Sequence, residues 1–219
     1  MTIPTGVTNI GNRAFYGATK LVSVSIPEGV THIGERAFYG CRALASVTIP
    51  PGVISIGDRA FHGCREMVSV TIPASVTSIG DWAFYSCFKL MSITVEPDNV
   101  VYSSLDGVLY NKSGTELIQC PGDMTGSFTI PSSVTRIRGA ASIYAPELTA
   151  IVVEPGNVAY SSLDGILYNK AMTELIICPD GRVDPVAIPS GVTNIANAAF
   201  YDCYHLVSMA IPPDVTHIG

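Results

Sequence analysis

An α/β solenoid is the fold class this sequence predicts: parallel strands stacked coil on coil, mostly β and irregular, with a short helical turn in each coil. Three observations predict it. Apolar anchors, most of them Ile-Pro, recur at Ile3, Ile26, Ile49, Ile72, Val95, Ile130, Val153, Ile188 and Ile211. Their spacing is 23 residues except for two steps of 35, each a normal unit plus an insert. Hydrophobic residues make up 47% of the 219-residue chain and charged ones 14%, enough for a continuous core and too apolar for disorder. The prediction is one solenoid domain over 1–219, with small β-hairpin inserts at about 98–125 and 156–183.

Each element of a unit has a local cause, best seen from Leu44 to Cys64. Leu44, Val47 and Ile49 form a short apolar run that reads as a strand. Pro50 closes it, having no N–H for the ladder. Pro51-Gly52 makes a turn. Val53 and Ile56 form a second extended stretch, which Gly57 breaks. Asp58 is then expected to cap a helical turn through Ala60 and Phe61 with its own carboxylate. Gly63 and Cys64 lead back to Met67, the next leucine-type position. Equivalent residues should stack in ladders, the largest being Phe15, Phe38, Phe61, Phe84 and Phe200. Ser142 interrupts it, and Tyr144 is expected to fill part of the lost volume.

The inserts repeat each other. Tyr102-Ser103-Ser104-Leu105-Asp106-Gly107-Val108-Leu109-Tyr110-Asn111-Lys112 matches Tyr160 to Lys170 at a distance of 58 residues. Asp-Gly between apolar runs signals a hairpin. Ser113-Gly114 supplies a second turn and a three-stranded meander; Ala171-Met172 at the same place carries a weaker turn signal.

The motif Ile-Pro, Val-x-x-Ile-Gly, Ala-Phe-x-x-Cys-x-x-Leu is nearly complete at 26–44, 49–67, 72–90 and 188–206. It resembles the BspA-like leucine-rich repeats, and so do the Tyr-Ser-Ser-x-Asp-Gly inserts. The resemblance implies a curved solenoid, with the Leu-x-x-Val-x-Ile strands on the concave side and the helical turns on the convex side. It also implies an extracellular or cell-surface parent protein and a role in adhesion or host-protein binding. The unit at 130–148 departs from the motif, with Ala141-Ser142 for Ala-Phe and Ala145 for Cys.

Several function classes are disfavoured. No apolar run is long enough for a transmembrane helix. Met1 runs directly into Thr2-Ile3-Pro4 with no leader, and the chain stops mid-unit at His217-Ile218-Gly219. No polar caps are visible, so the chain is expected to be a segment of a longer protein, with apolar ends open to end-to-end association. Residues 1–94 carry seven Lys/Arg and five Asp/Glu, and residues 95–219 carry five and thirteen. That balance lacks the dense basic stripe of a nucleic-acid binder.

Catalytic, cofactor and metal sites are not expected, because no nucleophile, phosphate-loop or zinc motif is present. Cys41, Cys64, Cys87 and Cys203 share a repeat position with Ala18 and Ala145, and Cys120 and Cys178 share another; all six read as buried free thiols. His32, His62, His205 and His217 read as surface substitutions in the repeat. Asp98, Asn99, Asp106 and Asn111 read as turn and cap residues rather than calcium ligands.

Two surface strips remain as candidate binding faces. One is hydroxyl-rich: Ser23, Ser25, Ser46, Thr48, Ser69, Thr71, Ser92 and Thr94. The other is Arg13, Arg36, Arg59 and Trp82, flanked by the column Tyr16, Tyr39, His62 and Tyr85. Arg, Tyr and Trp are enriched at interaction hot spots. Three functions stay open: a non-enzymatic scaffold for a host or matrix protein, a carbohydrate-binding module, and a structural spacer. Salt dependence and sensitivity to Arg36, Arg59 and Trp82 separate the first from the second.

Overall fold

The structure is a computed structural model that describes residues 1–139 and 143–219. Ala141 and Ser142, the break in the phenylalanine ladder, lie outside the described residues. The chain forms two compact units, Met1–Asp123 and Met124–Gly219.

In the first unit, the Val-x-x-Ile stretches give four two-residue strands: Asn9–Ile10, His32–Ile33, Ser55–Ile56 and Ser78–Ile79. They pair in parallel with the isoleucines in register, Ile10 to Ile33 to Ile56 to Ile79. The Leu-x-x-Val-x-Ile runs form Ser23–Ser25 on Ser46–Thr48, and Ser69–Ile72 on Ser92–Val95, again parallel. Alternation puts Val24, Val47, Val70 and Ile93 inside and the hydroxyl residues outside. The Pro-x-Gly-Val turns close as expected, Val30 and Val53 each donating to the proline carbonyl three residues back at 3.1 Å.

The helical turn is not there; no α-helix occurs among the described residues. From residue 13 to 18 the N–H groups alternate in direction. Ala14, Tyr16 and Ala18 donate to Gly11, Arg13 and Phe15, three residues back, at 3.2, 3.1 and 3.1 Å. Arg13, Phe15 and Gly17 donate instead to Glu35, Ala37 and Tyr39 of the next coil at 2.8, 2.8 and 2.7 Å. A helix would direct every N–H back along itself. Stacking claims every second one, so the segment is a run of successive turns. Asp58 also acts across coils rather than within its own: its Oδ1 accepts from the Asp81 N–H at 3.0 Å.

Phe38, Phe61 and Phe84 are buried, with ring centroids 5.2 and 5.6 Å apart and planes within 3° and 1°. Phe15 ends the stack half-buried, 5.1 Å from Phe38. Most anchors are buried, but Val153 is half-buried and Ile211 is 44% exposed. Glycine after isoleucine marks close approach of coils: a Cβ on Gly57 would lie 2.6 Å from the Glu35 backbone nitrogen.

The inserts take the place of a coil. In the first, Tyr102–Leu105, Val108–Asn111 and Glu116–Gln119 form an antiparallel meander. Asp106 and Gly107 both have positive φ, 50° and 79°, the pattern of a type I′ turn. The meander docks on the last regular strand, Ile93 N–H donating to Gly107 at 2.8 Å and Val95 N–H to Ser104 Oγ at 3.0 Å. Buried Asn99 donates to the Pro73 and Val76 carbonyls and accepts from the Val101 and Tyr102 N–H groups.

The second unit repeats this arrangement. Thr125–Ile130 pairs in parallel with Glu147–Val153, and the meander is Tyr160–Leu163, Ile166–Asn169 and Glu174–Ile177. Ile151 donates to Gly165, Val153 to Ser162 Oγ, and Asn157 fills the role of Asn99. The weaker turn forms too: Met172 N–H donates to Asn169 at 3.0 Å with φ 57°, as Gly114 donates to Asn111 with φ 68°. Asn194–Ile195 pairs in parallel with Glu174–Ile177, and His217–Ile218 in turn with Asn194–Ile195. Tyr144 is buried, and its hydroxyl is hydrogen-bonded to Asp202.

Candidate functional site

The arginine strip sits on a backbone feature that recurs from coil to coil among the described residues, Ala198 included. Arg13, Arg36, Arg59 and Trp82 have φ of 58°, 53°, 53° and 62°, the left-handed region. At the three arginines the N–H reaches the next coil, Arg13 to Glu35 at 2.8 Å, and Arg36 to Asp58 and Arg59 to Asp81 both at 2.9 Å. It costs a side-chain-bearing residue about 1–2 kcal/mol. Four residues further on, a second left-handed position is filled by glycine at Gly17, Gly40 and Gly63 and by Ser86. The chain therefore carries large side chains at the strained position where glycine would be cheaper.

The side chains meet in an open groove of about 500 Å³ lined by Arg13, Tyr16, Arg36, Tyr39 and Arg59. Glu35 pairs with Arg36 at 3.1 Å. The Arg59 guanidinium lies 4.8 Å over the Trp82 ring. Arg13 is in no ion pair among the described residues. In the aromatic column Tyr16 stacks on Tyr39 at 4.9 Å and Tyr39 on His62 at 4.5 Å, while Tyr85 lies 5.0 Å from His62 with its plane tilted by 34°. Stacking along the column covers both faces of Tyr39, so the groove receives ring edges and guanidinium groups.

Two expectations about this column are corrected. Tyr85 is not a surface residue; it is 3% exposed, covered by His62 and Trp82. His62 is not a surface histidine either. It is half-buried between Tyr39 and Tyr85, and burial, with Arg59 and Arg36 adding to it, lowers its pKa to about 4. It is neutral at pH 7. Its place in the tyrosine column was the available sequence signal. His32, His205 and His217 are exposed.

The hydroxyl strip forms in register, Ser23 beside Ser46, Ser25 beside Thr48, Ser69 beside Ser92 and Thr71 beside Thr94. Ser46, Thr48, Ser69, Thr71 and Thr94 are exposed, while Ser92 is partly covered by the Gly107 turn.

All six cysteines are free and all but Cys203 are buried. Cys41, Cys64 and Cys87 donate to the carbonyls of Phe15, Phe38 and Phe61 at 3.1, 3.3 and 3.2 Å. Asn111 Oδ1 accepts from the Thr115 and Glu116 N–H groups, which accounts for it as a turn residue. Among the described residues no group of three or more His, Cys, Asp or Glu side chains could hold a metal ion, and no helix is long and apolar enough to cross a membrane.

A stack of 23-residue coils with parallel strands in register and a phenylalanine ladder defines a leucine-rich repeat scaffold. The BspA type leucine-rich repeat region matches in six copies over residues 1–112 and 181–219, and the chain belongs to that family. No curated protein matches it. Several solved structures are similar. The pneumococcal vaccine antigen PcpA is 24% identical, with a TM-score of 0.59 over 100% of this chain and 56% of its own. A leucine-rich repeat protein from Eubacterium ventriosum is 24% identical, with a TM-score of 0.64 over 95% and 58%. A leucine-rich cell surface protein from Faecalibacterium prausnitzii is 26% identical, with a TM-score of 0.51 over 99% and 77%. The chain thus spans a little over half the length of the first two.

Proposed function

We propose that the chain is a non-enzymatic binding scaffold of a bacterial surface protein, and that the arginine groove holds an acidic segment of a host or matrix protein. The observation that carries this reading is the retention of Arg13, Arg36, Arg59 and Trp82 at a strained left-handed position. The groove's free chemistry also favours it. Guanidinium donors suit carboxylates, whereas a neutral sugar needs an open aromatic face, and stacking covers those of Tyr39. A backbone fixed by stacking has little ordering entropy to lose on binding. Likeness to a protein described as a cell surface protein supports the location.

The test is binding to an immobilised panel of matrix proteins and to a poly-glutamate peptide, beside a glycan array. Substituting Arg13, Arg36 and Arg59 together by Gln should weaken protein and peptide binding at least about tenfold, with binding falling as salt rises. Binding to neutral glycans that ignores salt and these substitutions would instead support the carbohydrate-binding reading. Failure to bind either class would leave a spacer.

A further inference from the structure

The second unit brings two thiols together in a way the cysteine ladder of the first unit does not. Cys41, Cys64 and Cys87 each spend their S–H on a phenylalanine carbonyl of the preceding coil. Cys203 holds the same repeat position, but the layer beneath it is the insert, which presents Cys178. The Cys203 sulfur lies 3.6 Å from the Cys178 carbonyl oxygen and 3.8 Å from that of Pro179. The Cys178 sulfur lies 3.9 Å from the same Pro179 oxygen. Both sulfurs thus lie within 4 Å of the one Pro179 carbonyl oxygen. Backbone bonding holds the layers in this register, with Cys178 N–H donating to Ala199 at 2.8 Å.

The pair is unequal in access and in charge. Cys178 is buried and Cys203 partly exposed. The neighbouring Cys203 thiol lowers the Cys178 pKa against burial, with Arg182 adding to it and Asp180 opposing. The neighbouring Cys178 thiol, burial, and the carboxylates of Asp180 and Asp202 raise that of Cys203.

We propose that Cys178 and Cys203 form a reactive dithiol pair that a small-molecule disulfide converts to an intramolecular disulfide. Cys203, the accessible thiol, gives up its proton to solvent and attacks one sulfur of the disulfide. A mixed disulfide forms on Cys203 and one thiolate leaves. That thiolate takes the proton from Cys178. Cys178 then attacks the Cys203 sulfur, closes the bond and expels the second thiolate. The pair is oxidised by two electrons and the incoming disulfide is reduced to two thiols. The repeat supplies a control, because Ala145 stands 58 residues before Cys203 at the corresponding position and shows that alanine is accepted there.

The experiment treats the folded chain with glutathione disulfide, quenches with acid, alkylates free thiols and maps the peptides by mass spectrometry. A Cys178–Cys203 linked peptide is expected, with an intact mass lower by two hydrogens and with Cys41, Cys64, Cys87 and Cys120 still reduced. Cys178→Ala should stop at one glutathione adduct on Cys203, and Cys203→Ala should give no adduct, because Cys178 is shielded. Absence of the linked peptide at equilibrium, or a glutathione adduct that persists on Cys203 of the unsubstituted chain, would overturn the proposal.

Discussion

Replacing Phe61 by alanine tests whether stability comes from stacking on both sides. Its ring is fully buried, 5.2 Å from Phe38 and 5.6 Å from Phe84, in nearly parallel planes. A buried aromatic side chain removes about 150–250 Å² from water, worth about 4–6 kcal/mol at about 25 cal/mol per Å². Measured Phe→Ala costs in cores run about 3–5 kcal/mol, and two ring contacts are lost here, so about 4–5 kcal/mol is expected. Phe15 is half-buried with one stacked neighbour, and Phe15→Ala should cost about 2 kcal/mol. The assay is urea unfolding followed by circular dichroism, with hydrogen exchange at the Ile33, Ile56 and Ile79 amides to locate the loss. Exchange matters because repeat arrays need not unfold in one step. Equal costs for the two substitutions, or less than about 2 kcal/mol at Phe61, would refute the ladder argument.

Gly57→Ala places a Cβ 2.6 Å from the Glu35 backbone nitrogen, where nothing flexible can yield, and should destabilise by at least about 2 kcal/mol. Gly11→Ala, at the same motif position with nothing within 4 Å, should change urea stability by less than about 0.5 kcal/mol. Ser86→Gly relieves a left-handed backbone at the position where Gly17, Gly40 and Gly63 stand in the other coils, and should raise stability by about 1 kcal/mol in the same assay. Asp180 is buried, accepts from the Ala145 N–H at 3.0 Å, and has its pKa pushed up to about 7 by burial, with Asp202 adding. The folded chain thus holds this proton more tightly than the unfolded one. Stability from Asp180 is full below about pH 4 and falls by roughly 2–4 kcal/mol as pH rises toward 7. Urea midpoints measured against pH should show that slope, and Asp180→Asn should flatten it.

The period was legible because each coil solves the same burial problem with the same residues. Ile-Pro set the strand ends, Asp106-Gly107 set the hairpin, and alternating apolar residues set which faces are buried. The helical turn was misread for a definite reason. Asp58 to Cys64 has a cap residue, helix-compatible residues and a closing glycine, and local chemistry alone favours a helix there. Only the coil above, whose carbonyls accept every second N–H, turns that segment into successive turns. The same holds for Asp58, which looks like a cap for its own segment and serves Asp81 instead.

The candidate face divides along the same line. Sequence placed Arg13, Arg36, Arg59 and Trp82 in one column because repeat phase is geometry once coils stack. It did not show that this column is strained, that Tyr85 is covered, or that His62 is held neutral between two rings. By itself the sequence determined the repeating coil, its buried residues and the position of its inserts, since those follow from local pattern and burial. Tertiary structure decided where backbone N–H groups point, which rings keep an open face and that Cys178 meets Cys203. Each of these depends on the layer that lands next to it, 20 or more residues away along the chain.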